Sequence, residues 1–489
     1  MKFSKNLGLL FLVVIGFLFR YQGISQQLSY WNDESHTALM ARNILWYGTT
    51  NPLWTITGIY QLALYYLTAL AFKLGGITEL AGRLPSVLAG TLLIAVVYWI
   101  AYQLFTCNRK AFIASFLVAF SQIQLAWSTQ LRPYIWLELF TLVIVYYCYQ
   151  SLKNRTRLID KNLIISFFFT LIAALFHGTG LINLVLFGAI FSYKFIKLKK
   201  YHAISGIGFI IVLGLLLLSR SGVDLRDVLF NFDFNLLHYR IFITHRYWWL
   251  FLGASLGTIF LWKKKSELAI ILSGSVLIIF AIVIFKVSSQ YVRYSLPGFP
   301  LLYLLFSSGI VDLADLVKKK PSPFFQKTAF ILLIVLSLAW PIKHSKIMLW
   351  PRYYYSINAD MRENPIVDYK LAFTKIKDLI KNNPNTIVMD AWNDRVPWYL
   401  PGREFVFLKS EASRVGSGYG ENLIGTIEQF EIEKIKYTSG VVIIEDWPSL
   451  TPPELQAHLR QTLKHEFDVQ DLPYNENDHW GISVYSWGI

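Results

Sequence analysis

Residues 86–128 read SVLAGTLLIAVVYWIAYQLFTCNRKAFIASFLVAFSQIQLAWS. Two apolar runs, 86–105 and 111–128, flank the pair Arg109-Lys110. A bilayer core takes roughly 17–25 apolar residues per helix, so this stretch is a pair of membrane spans joined by a short basic turn. The same measure applied outward gives about eleven spans: near 6–21, 86–105, 111–128, 133–151, 162–177, 180–196, 203–219, 247–262, 268–286, 296–314 and 328–344.

The loops test that assignment. Every second loop is a basic cluster: Arg109-Lys110; Lys153, Arg155, Arg157 and Lys161; Lys194, Lys197, Lys199 and Lys200; Lys263-Lys264-Lys265; Lys318-Lys319-Lys320. With Lys2 and Lys5 at the start, this alternation predicts a multi-pass protein of the cell membrane with its N-terminus cytoplasmic and its C-terminus outside. Residues 1–22 also have the basic start and short apolar core of a signal peptide, but no small-residue cleavage site follows, which favours a retained anchor.

Composition agrees. Only 16% of the 489 residues are charged, against about a quarter in soluble chains. The net charge of +15 is not a nucleic-acid signature. From residue 345 onward there are 15 Lys+Arg against 20 Asp+Glu, so the basic excess belongs to the membrane part, where loop topology and lipid phosphates account for it. The two cysteines, Cys107 and Cys148, form neither a disulfide framework nor a zinc-type spacing.

Two parts are not spans. Residues 22–85 form a long outer loop with helix-like stretches near 33–48 and 59–75. The C-terminal part alternates polar helices with apolar strands, NTIVMDAW (385–392), GVVIIEDW (440–447) and WGISVYSW (480–487), the pattern of a small α/β domain. The expected fold is an all-α polytopic membrane domain over 1–345, with a large first outer loop, and an extracytoplasmic α/β domain over 346–489.

Chemistry is located by elimination. The membrane part has few acids, and Asp160, Glu267, Asp312 and Asp315 fall on the inner side. Asp33, Glu34, Glu79, Glu138, Asp224, Asp227 and Asp233 remain. All but Glu138 lie in outer loops. Glu138 sits about one turn into a span, where an ionisable side chain is costly and functional by default. Asp33-Glu34 stand in YWNDESHTALMARNILWYG (30–48). One reading makes Asp33 a helix N-cap with both acids at the positive end of the dipole; the other makes the pair functional. The two adjacent acids could hold a divalent cation, although no further ligands stand beside them, so a divalent cation is possible and no cofactor is firmly implied.

Basic residues divide by side. Inner loops use mainly Lys, whereas the outer side carries Arg42, Arg83, Arg132, Arg220, Arg226, Arg240, Arg246 and Arg293. The planar guanidinium suits bidentate phosphate binding, although any one of these could pair with an outer acid or a lipid headgroup. TQLRPYIWLELF (129–140) sets Arg132 and Tyr134 at an outer mouth, and SQYVRYSLPGFP (289–300) sets Arg293 and Tyr294 at another. Interfacial tyrosines and snorkelling arginines explain each string alone; together they place two Arg-Tyr pairs at one depth. A lipid-linked phosphate arriving from within the bilayer fits them. His177 in FHGTG (176–180) and His238 in the fourth outer loop either line a site or sit at the interface, and neither has metal-ligand spacing.

The ordered set resembles a known group. An outer DE pair after the first span, GITELAGRLPSVLAG (76–90), the RPY string and VRYSLPGFP (292–300) look like the GT-C glycosyltransferases of the dolichyl- and polyprenyl-phosphate-mannose protein mannosyltransferase and aminoarabinose transferase type. The resemblance implies transfer of a sugar from a polyprenyl-phosphate donor to an acceptor hydroxyl of a protein, glycan or lipid on the outer face. It implies Asp33 as base, Glu34 as the second family acid, and Arg293 and Tyr294 in the carrier-phosphate contact region. Where many members carry a Lys or Glu before a Pro-Pro-Leu-like run, this chain has WTITGIYQLALYYL (54–67), with Gly58, Tyr60 and Gln61, which leaves the sugar and acceptor open. Tyr60, Arg83, Glu138, His177, His238 and Arg240 are the further residues expected to line the site.

The residues support such chemistry. Phosphate leaves readily, the acceptor needs one base, and a single carboxylate suffices for inversion. Arg132 and Arg293 would steady the departing phosphate. A transporter or flippase of lipid-linked sugars is the competing reading. It would want charges near span midpoints, where this sequence offers only Glu138, and that lies near an outer end. A non-catalytic surface-assembly protein would tolerate loss of Asp33.

Overall fold

The computed structural model describes residues 2–25, 29–48, 61–198, 236–287, 291–317, 367–392, 394–409, 423–445, 450–469 and 481–489. Nine of the expected spans fall on them, and all nine are helical. The spans expected at 203–219 and 328–344, and the domain boundary at 345/346, lie outside the described residues.

The membrane helices are α1 (Lys2–Ser25), α4 (Glu79–Phe105), α5 (Asn108–Phe120), α6 (Gln122–Ser128), α7 (Tyr134–Leu152), α8 (Lys161–Phe176), α9 (Ile182–Lys197), α11 (Trp248–Lys286) and α12 (Phe299–Val317). Between α1 and α4 stand α2 (Asn32–Tyr47) and α3 (Leu62–Gly75), the two helices expected in the first loop. A short α10 (Leu236–Phe242) precedes α11.

Three departures have physical causes. Helix α4 begins at Glu79, seven residues before the expected span, because Thr78 caps it by accepting from the Ala81 N–H at 3.2 Å. The span expected at 111–128 is broken into α5 and α6, which meet at 57°. Ser121 is extended there, and its hydroxyl bonds to that of Tyr303 at 2.9 Å. Helix α11 has 39 residues, about 58 Å if straight, nearly twice a bilayer core. It is a hairpin: Lys265 leaves helical geometry at φ −146°, ψ 69°, and the rings of Phe251 and Phe280 meet at 5.3 Å. The lysine triplet 263–265 is its turn, so α11 supplies two expected spans.

One end of the bundle carries the lysines, and acids meet them there. Lys110 and Lys264 share Asp312 at 2.8 and 3.0 Å, Lys194 pairs with Asp160 at 2.7 Å, Arg109 with Asp315 at 2.8 Å, and Lys197 with Glu267. Helices α4 and α7 end here, since Lys265 donates to the Leu104 carbonyl and Lys197 to that of Leu152. Glu79 and Tyr134, at their starts, therefore lie at the opposite end.

The C-terminal region is a six-stranded sheet of order β3-β2-β1-β4-β6-β5. Its strands are β1 (Ile387–Asp390), β2 (Phe405–Leu408), β3 (Leu423–Ile424), β4 (Gly440–Glu445), β5 (Lys464–Val469) and β6 (Ile482–Trp487). β3, β2, β1 and β4 run parallel; β6 and β5 add antiparallel. β1 and β4 are buried throughout, as parallel strands covered on both faces must be. Helices α13 (Tyr369–Leu379), α14 (Arg395–Tyr399), α15 (Ile427–Ile435) and α16 (Pro453–Thr462) accompany the sheet.

The sheet region docks on α2, α3 and the start of α4. Trp398 packs between Tyr30 and Phe72, ring centroids 5.3 and 5.9 Å away. Arg42 donates to the Pro397 and Trp398 carbonyls at 2.8 and 3.2 Å, and the Tyr30 N–H donates to the Tyr399 hydroxyl at 2.9 Å. Lys370 pairs with Glu79 at 3.2 Å.

Candidate active site

Helix α2 begins with Trp31 as its N-cap, without a side-chain cap bond. Asp33 is therefore not the cap; it lies in the first turn and its carboxylate is directed elsewhere. It faces two arginines, Arg132 at 3.2 Å and Arg293 at 3.5 Å. Arg132 also donates to the Asp33 carbonyl at 3.0 Å. Both arginine side chains are under a tenth exposed, whereas that of Asp33 is 25% exposed. The acid is the part of the cluster that solvent or a substrate reaches.

Aromatic rings enclose the arginines. The Arg293 guanidinium lies 3.9 Å from the ring centre of Tyr291, 5.6 Å from Tyr294, 5.7 Å from Trp31, 5.9 Å from Tyr134 and 6.0 Å from Trp127. Arg132 lies 5.6 Å from Tyr134. Ring quadrupoles and a dry wall hold a guanidinium flat. The four residues expected at the donor phosphate, Arg132, Tyr134, Arg293 and Tyr294, thus meet around Asp33 although they come from distant strings.

Glu34 goes the other way. It is fully buried, and Arg83 grips it bidentately at 2.8 and 2.6 Å. The Leu131 N–H donates to it at 2.7 Å, and Arg83 reaches the Ser29 carbonyl at 2.7 Å. The Glu34–Arg83 pair fastens α2 to α4 and to the loop carrying Arg132. Both residues are supports for the site; neither lines its opening. The adjacent acids do not converge on one point, and among the described residues no three His, Cys, Asp or Glu side chains gather as a metal site.

His177 packs against Tyr134 and Tyr294, 5.4 and 6.5 Å between ring centres. The Thr179 N–H donates to its Nδ1 at 3.1 Å, which places the ring proton on Nε2. Its ring, partly buried, forms part of the wall of the cluster. Glu138 lies one turn into α7, fully buried, and accepts from Gln124 at 2.6 Å. Arg20, which sequence reasoning missed inside the first span, is wholly buried and donates to the carbonyls of Val118, Ala119 and Gly16. Arg240 is exposed on α10; its neighbour Tyr239 is buried instead and donates to the Tyr291 carbonyl at 2.9 Å. Tyr60 and the His238 side chain lie outside the described residues.

Trp31 and Tyr291 were within reach of sequence reasoning, each two residues from Asp33 or Arg293. Trp127 was not. Nor was Asp394 at the start of α14, whose carboxylate meets His36 Nδ1 at 3.2 Å. In the sheet, Asp390 and Glu445 end β1 and β4, where open α/β sheets bind ligands. Here both grip the buried Arg395, and Trp392 donates to Glu445 at 2.8 Å. The crevice is filled by the helix that docks on α2. Asp446 and Trp447 lie outside the described residues.

A sequence model of the dolichyl-phosphate-mannose-protein mannosyltransferase family matches residues 62–219, the stretch holding Arg83, Arg132, Tyr134, Glu138 and His177. No curated protein sequence matches the chain. Among solved structures it is similar to ArnT from Cupriavidus metallidurans bound to undecaprenyl phosphate, with a TM-score of 0.59 and 13% identity over 98% of this chain and 97% of that one. The apo ArnT gives a TM-score of 0.59 at 12% identity, over the same shares. The oligosaccharyltransferase AglB from Archaeoglobus fulgidus, in complex with an inhibitory peptide and a dolichol-phosphate, gives 0.57 at 14% identity over 90% of this chain and 69% of that one. The chain is thus a multi-pass membrane protein with the fold of ArnT and AglB, and over 62–219 its sequence is similar to the dolichyl-phosphate-mannose-protein mannosyltransferase family.

Proposed function

We propose that the chain is an integral membrane glycosyltransferase that moves a sugar from a polyprenyl-phosphate donor to an acceptor hydroxyl, with Asp33 as general base. The observation that carries this reading is the part-open Asp33 carboxylate between two buried arginines in an aromatic cage. Among the described residues two buried guanidinium groups face one accessible acid, an arrangement suited to an anion. ArnT with undecaprenyl phosphate and AglB with a dolichol-phosphate make a polyprenyl phosphate the anion of choice.

The roles follow from charge flow. The acceptor hydroxyl gives its proton to Asp33 and attacks the anomeric carbon. The bond from that carbon to the phosphate oxygen breaks, and Arg132 and Arg293 take up the charge developing on the phosphate. One base and a good leaving group make this a single displacement with inversion. A carboxylate already flanked by two guanidinium groups is a poor place for a divalent cation, so the arginines take the charge-stabilising part in this scheme. With the lysine end cytoplasmic, the site and the sheet domain face outward, where the acceptor protein, glycan or lipid would be met.

The test is sugar release from radiolabelled polyprenyl-phosphate sugars by the purified protein beside Asp33→Asn. The expected result is turnover by the wild type and a loss of about 10²–10⁴ in the variant, with undecaprenyl phosphate binding retained. Equal rates in the two proteins would remove Asp33 from the role of base.

A further inference from the structure

His36 follows Asp33 by three residues and so shares its face of α2. Like Asp33 it is part-open, its side chain 32% exposed. Two elements that are distant in sequence hold its ring. Asp394 of the sheet domain meets Nδ1 at 3.2 Å, and the Tyr65 hydroxyl of α3 meets Nε2 at 3.3 Å. Asp394 is itself buried and precedes Arg395, the residue locked by Asp390 and Glu445. The Arg132 guanidinium and the Asp33 carboxylate both lie within electrostatic reach of the ring. The same groups act on Tyr65.

Resting on the reading of a polyprenyl-phosphate site at Asp33, we infer that His36, held by Asp394 of the sheet domain and Tyr65 of α3, is a third and proton-dependent positive group of that phosphate site. Among the described residues, the charged and titratable groups that act on the ring include Asp394, Tyr65, Arg132 and Asp33. Burial pushes its pKa down and Arg132 adds to that, but Asp394 and then Asp33 outweigh them, and the net direction is upward. The imidazolium and Asp394 together carry no net charge; on losing its proton the pair becomes negative beside Arg132. A phosphate there binds more tightly when His36 is charged, and by linkage its binding raises the His36 pKa. The sheet domain, which supplies Asp394, thereby sets the pH range over which the site holds its donor.

The experiment is a titration of undecaprenyl phosphate into the purified full-length protein, followed by tryptophan fluorescence between about pH 5.5 and 9, a range centred on the histidine switch. Wild type, His36→Gln and Asp394→Asn are compared, with undecaprenol as the phosphate-free control. The phosphate's own ionisation is common to all variants, so ratios of Kd isolate the protein. Expected is wild-type affinity that falls about three- to tenfold, the reach of one nearby charge, as pH rises through the His36 pKa. His36→Gln should match the alkaline wild type at every pH. Asp394→Asn should move the midpoint to lower pH, because the group that raised the pKa is gone. Wild-type pH dependence persisting in His36→Gln would reduce the dyad to a docking strut. Absence of binding in every protein at every pH would overturn the phosphate site itself, and this inference with it.

Discussion

Asp33 and Glu34 are neighbours in sequence with opposite environments. The helical turn aims one at the opening and the other into the interior, where Arg83 neutralises it. Removing one partner of such a pair strands a buried charge, which costs about 3–5 kcal/mol, while removing both is far milder. Arg83→Met should therefore lower the thermal unfolding midpoint of the detergent-purified protein sharply. Arg83→Met with Glu34→Leu should recover much of the loss. Arg83→Lys should not rescue, since an ammonium cannot reproduce the fork that reaches both Glu34 oxygens and the Ser29 carbonyl. Asp33, Arg132 and Arg293 were legible in the sequence because acids are scarce in the membrane part and these residues stand at predicted span mouths. The division of labour within the DE pair was not legible, because nothing in the spacing pairs residue 34 with residue 83.

At the scale of elements, the aromatic cage around Arg293 depends on how α11 and α12 cross, since Arg293 sits in the turn between them. The two helices touch through glycines. A Cβ at Gly257 would stand 1.9 Å from the Leu305 carbonyl oxygen, and one at Gly309 would stand 2.3 Å from that of Gly253. Small residues permit this approach in a bilayer, where packing rather than water exclusion drives association. Gly257→Leu should force the helices apart, cost about 1–3 kcal/mol or more by overpacking, and weaken undecaprenyl phosphate binding with no change at the site itself. Unfolding midpoint and Kd measured together check it. The lysine triplet that turns the α11 hairpin could be read directly; the break at Ser121 could not, because it answers to Tyr303 of α12 across the bundle.

At the scale of the molecule, the sheet domain is clamped to the helix that carries Asp33. Trp398 is the anchor, buried between Tyr30 and Phe72. Trp398→Ala should cost about 3–5 kcal/mol at that contact. Hydrogen exchange should then rise in α2 and α14 while β1 and β4 stay protected, and turnover should fall. The docked domain also carries a pH signature. Burial pushes Glu445 up to about 7, above its unfolded value near 4.3. The folded state thus holds the proton more firmly, and this group's contribution to stability falls as pH rises between those values. Glu445→Gln should flatten that part of the stability–pH curve, measured by thermal unfolding.

The sequence by itself determined where the described apolar helices lie, that their basic loops gather at one end, the two helices of the first loop and the α/β character of the C-terminal part. Apolar length, charge alternation and strand periodicity are local properties, and a bilayer reads them locally. It also named Asp33, Arg132, Tyr134, Arg293 and Tyr294. Only the tertiary structure decided that these meet, that Arg42 and Arg83 are spent on docking and on Glu34, and that Asp394 reaches His36. Those pairings join residues tens to hundreds of positions apart, and they are chosen by which helix ends and strand ends come to lie side by side when the two parts of the chain pack.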